Sequence, residues 1–345
     1  MVTAHHREIP HPRSDVHYWN DLDEVPQDLG PTALTIGNFD GVHRGHQEVL
    51  RQLVAAAVGY QSSAVAISFD PHPLQVHRPQ SCPVLLTGVE EKINRLATTG
   101  IDGLLMLNYD ERLASRTAEE FVAEYLVEAL HARVVVVGHD VRFGSGNSGS
   151  FETMVELGQK HGFTVLGVED FGEDRRCSST WVREALAAGD VADAREVLGR
   201  PHAVLGAVVH GEARGRELGF PTANLSSTSE GMIPADGVYA GWLTDERGRR
   251  WPAAISVGSN PTFDGYQRVV ESHVIDRPDE RIEDFDLYGQ HVRVEFLQRL
   301  RGMVNFDGIP LLIRQMEEDV IRARQVLLGD DPQEHDTPVI PAVEP

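Results

Sequence analysis

The chain has 345 residues, of which 41% are hydrophobic, and a formal net charge of −22. Its length allows two domains with apolar cores, and its acidic character argues against a nucleic-acid partner, because binding a polyanion normally requires clustered Lys and Arg. The longest apolar stretches are strand-sized and the N-terminus lacks a signal-peptide core, so we expect a cytoplasmic protein without a membrane span, and its two cysteines fit a reducing compartment.

Strands and helices alternate from residue 32 to about residue 190, which favours a parallel α/β sheet. The predicted strands lie near residues 33–36, 64–69, 103–107, 133–137 and 164–168. The predicted helices lie near residues 46–58, 88–98, 118–129, 151–160 and 180–188. We therefore assign residues 1–31 to an N-terminal extension and residues 32–190 to the first domain.

The pattern changes after a predicted linker at residues 191–202, because the apolar runs become short and are separated by Gly, Pro and Asp. This indicates a small antiparallel β-barrel followed by a C-terminal helix, together spanning residues 203–328. The predicted barrel strands lie near residues 203–209, 237–243, 253–257, 268–274 and 291–296, and the helix lies at 310–328. Residues 329–345 form an acidic, Pro-rich tail that we expect to be disordered.

The turn after the first predicted strand carries the sequence His43-Arg44-Gly45-His46. It follows Gly37 and Gly41 at the carboxyl end of a parallel strand, where open α/β folds bind their ligands. Glycines allow close approach to phosphate, the helix N-terminus offers unpaired N–H groups, and imidazoles at i and i+3 can face one phosphoryl group. The His-x-Gly-His motif resembles that of the nucleotidyltransferase superfamily, which transfers AMP from ATP.

Further chemistry-bearing segments follow the other predicted strands. Phe69 to Pro73 is a loop in which two prolines present His72, and Gly138 to Gly144 follows the fourth strand. Ser178-Ser179-Thr180-x-x-Arg183 places hydroxyls at a helix start and an arginine one turn later, which suits phosphate. In order and spacing, these segments and the first turn resemble the FMN adenylyltransferase module of prokaryotic bifunctional riboflavin kinase/FAD synthetases.

The resemblance implies that FMN attacks the α-phosphorus of ATP and that pyrophosphate leaves, with His43 and His46 as catalytic donors to the transferring phosphoryl group. The implied ATP-binding residues are Gly37, Phe39, His43, His46, Ser179, Thr180 and Arg183. The implied FMN-binding residues are Pro71, His72, Asp140 and Arg142. Asp140 stands where the family often has Asn. We expect Mg²⁺ to arrive as its ATP complex.

The second domain contains a segment rich in Gly and Arg, from Gly211 to Leu225. Thr222 and Asn224 are at i and i+2, so an extended backbone would direct both oxygens to one side, where they could bind Mg²⁺ and phosphates; a simple β-turn is the alternative. The Gly-Phe-Pro-Thr-Ala-Asn string and the segments that follow it resemble the riboflavin kinase module, over roughly residues 203–328. These segments are Gly237 to Ala240, Ser256 to Phe263, Val270 to His273 and Asp286 to Gly289.

By this resemblance Glu271 is the general base that takes the proton from the ribityl 5′-hydroxyl, whereas the alternative is an ordinary carboxylate on a strand. The implied residues for ATP and Mg²⁺ are Gly211, Arg214, Gly219, Thr222 and Asn224, with Thr222 and Asn224 as metal ligands. The implied flavin-binding residues are Arg301 and Phe306.

The leading hypothesis is one polypeptide that makes FMN from riboflavin and then FAD from FMN, using ATP at two sites. Riboflavin, FMN, FAD and ATP are therefore the expected small-molecule partners. A second hypothesis is an adenylyltransferase with another acceptor, such as nicotinate mononucleotide or phosphopantetheine, and a third is a non-catalytic flavin-binding protein. The sequence does not predict the oligomeric state.

Overall fold

The computed structural model describes residues 16–211, 220–262, 265–276 and 287–329. Contacts between Cα atoms divide the chain into two compact units. The first comprises the described residues up to Trp181 together with Val197–Gly199, and the second comprises Val182–Glu196 and the described residues from Arg200 onward. No helix in these described ranges is long and apolar enough to cross a bilayer.

A six-stranded parallel sheet forms the centre of the first unit, in the order β1-β4-β3-β2-β5-β6. The strands are β1 His17–Trp19, β2 Thr32–Ile36, β3 Ser63–Asp70, β4 Gly103–Asn108, β5 Ala132–Gly138 and β6 Thr164–Val168. The first strand lies inside the segment that the sequence analysis assigned to an extension. It pairs with β4 at the sheet edge, and Trp19 is buried.

Helices connect these strands, as parallel pairing requires. They are α1 Arg44–Tyr60, α2 Pro73–His77, α3 Val89–Ala97, α4 Glu111–Ala114, α5 Ala118–Phe121 and α6 Phe151–His161, followed by α7 Ser179–Ala188 and α8 Val191–Leu198. A π-helical segment, Val122–Ala129, continues α5. The last helix occupies most of the predicted linker.

The core of the first unit has two layers, one on each face of the sheet, because successive side chains of a strand point to opposite faces. Leu34, Val65 and Ile67 pack in one cluster with Phe121. Ala33, Ala64 and Ala66 pack in the other with side chains from α1 and α3, namely Leu50, Leu53, Ile93 and Leu96. Both faces are therefore covered, and the functional groups are left at the ends of the strands.

The second unit contains a closed antiparallel barrel in the order β10-β11-β8-β7-β12-β9. The strands are β7 His202–Val209, β8 Ala223–Leu225, β9 Gly237–Thr244, β10 Arg250–Thr262, β11 Gly265–Val274 and β12 His291–Arg301. Helix α9, Ile309–Leu328, packs Val320 and Ala323 against Ala240 and Ala254. A parallel-sheet domain followed by a small barrel and a C-terminal helix confirms the predicted fold class. The predicted tail lies outside the described residues from residue 330 onward.

Candidate active sites

A cavity of about 560 Å³ lies at the carboxyl edge of the sheet in the first unit. Residues at or just beyond the ends of five strands line it. They are Gly37, Phe69, Tyr109, Gly138 and Val168. Convergence of strand ends at one edge is the geometry by which open parallel sheets bind ligands. We call this the sheet-edge cavity.

The His43–His46 turn lines the sheet-edge cavity and begins α1. The Nδ1 atom of His43 accepts a hydrogen bond from the backbone N–H of His46 at 3.4 Å, which caps the helix. The two imidazole rings stack with their centroids 3.6 Å apart and their planes 23° from parallel. His43 is 6% exposed, so protein packing fixes its ring. The turn therefore presents both imidazoles as one rigid pair.

Two glycines, one in this turn and one just before it, lie close to neighbouring groups. A Cβ on Gly45 would lie 3.2 Å from the ring of His43 and 3.3 Å from the carbonyl oxygen of Cys177. Gly41 has a φ of +80°, and its Cβ would lie 2.7 Å from the side chain of Leu86. A side chain at position 45 would require these neighbours to shift slightly, and one at position 41 would also strain a backbone with positive φ.

The first residue of α7 contacts the loop that leads into this turn. The hydroxyl of Ser179 donates to the carbonyl oxygen of Asp40 at 2.9 Å, and Ser178 and Ser179 both line the sheet-edge cavity. Thr180 does not line it. Arg183 lies on the part of α7 that belongs to the second unit. Its contact with phosphate stays a prediction.

Helix α2, which follows the Phe69 to Pro73 loop, contributes residues to the cavity other than those predicted. His72 caps α2, because its Nδ1 accepts a hydrogen bond from the backbone N–H of Leu74 at 3.2 Å. Neither Pro71 nor His72 lines the sheet-edge cavity, whereas Leu74 and His77 do. The predicted contacts of Pro71 and His72 with FMN therefore stay predictions.

An aromatic wall, defined as Phe69, His77, Tyr109, Phe121 and Phe143, lines another part of the same cavity. The Nε2 atom of His77 lies 2.7 Å from the hydroxyl of Tyr109. The rings of Phe69 and Tyr109 meet edge to face, with their centroids 5.5 Å apart. Sequence reasoning missed this wall, because its members come from separate elements and carry no common motif.

Asp140, in the loop after β5, lines the cavity and forms an ion pair with Arg176. Arg176 also lies 3.2 Å from Asp170, and its hydrogen bond to Asp140 raises the pKa of the guanidinium. Arg142 lines the cavity as well and donates to the carbonyl oxygen of Val141 at 2.7 Å. Arg176 was absent from the predicted set, although it directly precedes the Cys177-Ser178 pair.

In the second unit, Glu271 on β11 lies opposite Asn224 on β8 and opposite Ser256 on β10. Directly opposite residues in antiparallel strands share one face, so the three side chains form a row on one side of the barrel wall. The Asn224 amide donates to the hydroxyl of Thr222 at 3.2 Å. The predicted Thr222, Asn224 and Glu271 are thus brought together.

Gly211 lies against this row, since a Cβ there would be 2.6 Å from the side-chain amide of Asn224. The ring Nδ1 of His273 lies 3.0 Å from the carbonyl oxygen of Pro221, and burial lowers the pKa of His273. This contact holds the backbone just before Thr222. The predicted Arg214 and Gly219 lie outside the described residues.

Arg301 has a structural partner that the sequence did not reveal. Its Nε lies 2.9 Å from Oδ1 of Asp319 and its Nη2 lies 2.7 Å from Oδ2, which forms a bidentate pair with α9. The guanidinium carbon also lies 5.9 Å from the ring centroid of Phe306. Contacts of Arg301 and Phe306 with flavin stay predictions.

Comparison with known proteins identifies both units. Residues 25–181 match the FAD synthetase family, and residues 198–327 match the riboflavin kinase family. With the two sites described above, these matches define the class of the protein as an ATP-using transferase with two modules.

The chain is 36% identical over 307 residues to the bifunctional riboflavin kinase/FMN adenylyltransferase of Escherichia coli (strain K12), covering 89% of this chain and 95% of that protein. Its counterpart from Bacillus subtilis (strain 168) is 32% identical over 309 residues, covering 88% and 95%. The chain also matches a crystal structure described as a macrolide-efflux protein from Streptococcus pneumoniae, with 31% sequence identity and a TM-score of 0.78. This match covers 90% of the present chain and 99% of the chain in that structure.

The chain belongs to the family of bifunctional riboflavin kinase/FMN adenylyltransferases. The family's reactions use and produce riboflavin, FMN, FAD and ATP. Membership confirms the predicted family and the two predicted activities. It argues against an adenylyltransferase with a different acceptor and against a non-catalytic flavin-binding protein.

Proposed function

We propose that the sheet-edge cavity transfers AMP from ATP to FMN and that the row around Glu271 phosphorylates riboflavin. The observation that carries the first assignment is that a rigid pair of imidazoles and an aromatic wall line one cavity. The imidazoles suit the phosphates of a nucleotide, and the aromatic wall suits the flat, apolar ring system of a flavin.

In the sheet-edge cavity, His43, His46 and the hydroxyl of Ser179 bind the phosphates of ATP. The isoalloxazine ring of FMN packs on the aromatic wall, where Phe69, Tyr109 and Phe121 supply flat apolar surface. Arg176, which pairs with Asp140 and lines the cavity, binds the phosphate of FMN; the ability of a guanidinium to pair with phosphate through two parallel hydrogen bonds supports this role. This adds Arg176 to the predicted site.

The transfer is a direct displacement. An oxygen of the FMN phosphate attacks the α-phosphorus of ATP, the bond to the bridging oxygen breaks, and pyrophosphate leaves with that oxygen and the bonding electrons. His43 and His46 donate hydrogen bonds to the oxygens on which negative charge grows. Because their rings are fixed before substrate binds, little reorganisation is needed during the reaction.

In the barrel, Glu271 accepts the proton of the ribityl 5′-hydroxyl as its oxygen attacks the γ-phosphorus of ATP, and ADP leaves. Thr222 and Asn224 would hold Mg²⁺ through their side-chain oxygens, which are the kind of ligand that this ion prefers, and the two side chains are in hydrogen-bond contact. When bound with ATP, Mg²⁺ neutralises charge on the phosphates. Gly211 leaves room for the Asn224 side chain beside the nucleotide.

We further propose that the protein acts in the cytoplasm on these small molecules, without a nucleic-acid or membrane partner. The net charge of −22 supports the expected lack of nucleic-acid and membrane partners, because it would repel nucleic acids and anionic lipid surfaces.

Chromatography of flavins tests the assignment. Purified protein is incubated with riboflavin, ATP and Mg²⁺, and a parallel reaction starts from FMN, with ADP and pyrophosphate measured separately. We expect FMN with ADP, followed by FAD with pyrophosphate, and loss of both when EDTA removes the metal. Formation of FAD from FMN without phosphorylation of riboflavin would refute the kinase assignment, and the absence of FAD from both reactions would refute the transferase assignment.

A further inference from the structure

Lys92 is a buried lysine that neither proposed reaction uses. It lies on α3 and is 8% exposed. Its Nζ donates a hydrogen bond of 2.8 Å to the carbonyl oxygen of Phe69, near the end of β3. Burial lowers the pKa of Lys92, while the carboxylates of Asp70 and Asp40 act in the opposite direction. A buried ammonium is costly unless it is hydrogen-bonded and paired, so its position depends on these partners.

The segment just before α3 contacts the loop that leads into the His43–His46 turn. The backbone N–H groups of Leu86 and Thr87 donate to the Asp40 carboxylate at 2.9 and 3.3 Å. The N–H of Gly41 lies 3.4 Å from the hydroxyl oxygen of Thr87. These bonds fix the loop that leads into His43, although none of residues 86–97 lines the cavity. Helix α3 and the segment just before it thus contact both the loop that leads into the His43–His46 turn and the strand end that carries Phe69.

We propose that Lys92 is a positioning residue for adenylyl transfer. Its ammonium holds the Phe69 carbonyl and attracts the carboxylates of Asp40 and Asp70, which keeps the imidazole pair and the aromatic wall at the separation that the reaction requires. The inference rests on the proposed function of the sheet-edge cavity. Loss of the ammonium would leave two carboxylates without their shared cation near a site for phosphates.

The test replaces Lys92 in the full chain. Lys92→Met removes the charge and the donor, Lys92→Gln keeps a donor without the charge, and Lys92→Arg restores a cation. The matched control is Lys160→Met on α6, because the Lys160 side chain is 58% exposed and pairs with Glu119 at the surface. FAD formation from FMN and FMN formation from riboflavin are measured on each protein, and the folded fraction at the assay temperature is measured by circular dichroism.

We expect Lys92→Met to lower kcat for FAD formation about 100-fold, the size of loss that a small misplacement of reacting groups produces. The KM values for ATP and FMN should change less than kcat, and riboflavin phosphorylation should be unchanged. Hydrogen exchange at the amides of Leu86 and Thr87 should become faster while the central strands stay protected. Lys92→Gln should fall between Lys92→Met and wild type, and Lys92→Arg should recover most of the rate.

Three results would overturn the proposal. The first is a Lys92→Met protein as active as Lys160→Met. The second is a loss of rate that the unfolded fraction fully explains, which would make Lys92 a residue of stability only. The third is a folded Lys92→Arg protein as slow as Lys92→Met. A wild-type protein that forms no FAD from FMN would instead refute the proposed function on which this inference rests.

Discussion

Glu271 lies directly opposite Asn224 across the β8–β11 ladder, so the carboxylate and the amide share one face of the barrel wall. Asn224 in turn contacts Thr222, and Gly211 lies against its amide. The strand register therefore sets the proposed general base beside the proposed phosphate and metal ligands. A shift of one residue in β8 would turn Asn224 to the other face and separate the two.

Replacing Glu271 with Gln should remove the proton acceptor while preserving the shape of the side chain. We expect riboflavin phosphorylation to fall by about 100- to 10,000-fold, the usual contribution of a general base. FAD formation from supplied FMN should stay at the wild-type rate. Separate assays of ADP and pyrophosphate measure the two reactions, and Glu317→Gln on the exposed face of α9 serves as the control. Normal kinase activity in Glu271→Gln would show that Glu271 is an ordinary carboxylate on a strand and not the general base.

His46→Ala should have the reverse effect. It removes one of the two stacked donors while leaving His43 in place as the cap of α1. We expect FAD formation to fall about 100- to 1,000-fold, as for loss of one donor to developing charge, and FMN formation to continue. Flavin chromatography from riboflavin and from FMN shows both effects in one protein. Loss of both activities in folded His46→Ala would contradict two separate sites.

Arg301→Met should destabilise the second unit. The Arg301 and Asp319 side chains are 17% and 5% exposed, so the variant leaves a buried carboxylate without its cation, at a cost of about 3–5 kcal/mol. Arg324→Met is a matched control on α9, because the Arg324 and Asp276 side chains are 34% and 47% exposed and loss of their pair should cost about 1 kcal/mol or less.

Urea unfolding of both variants measures this difference, and riboflavin titration measures flavin affinity. The double variant Arg301→Met/Asp319→Leu should regain stability, since no unpaired carboxylate remains. An Arg301→Met protein of wild-type stability that binds riboflavin weakly would favour the flavin contact predicted from sequence.

His273 predicts a pH dependence of stability. Its folded pKa lies below the ordinary value of 6.5, because burial disfavours the charged ring. The neutral ring thus stabilises the native state fully above pH 6.5, and this contribution is lost as the pH falls through the folded pKa, since the unfolded chain binds the proton first. Thermal unfolding measures the Tm at about pH 7 and at about pH 5. We expect the Tm to decrease less between these two pH values in His273→Gln than in wild type. Equal decreases in both proteins would show that other groups control the response.

Sequence patterns predicted most strands and helices because their signals are local. The apolar runs at β2 to β6 and the glycines around His43 identify their elements without reference to distant parts of the chain. Short elements were missed for the same reason. Strand β8 has three residues, Ala223–Leu225, and β1 has three, His17–Trp19, which is too few for an alternation to be recognised.

The sequence by itself determined the two modules, the His43–His46 turn and the candidates Thr222, Asn224 and Glu271, because each depends on residue types at short, fixed spacings. Only the tertiary structure decided which distant groups meet. The pairs Asp140–Arg176 and Arg301–Asp319, the contact of Lys92 with Phe69 and the aromatic wall each join different elements. Such contacts depend on the order of strands in a sheet and on helix packing, so no local pattern in the chain specifies them.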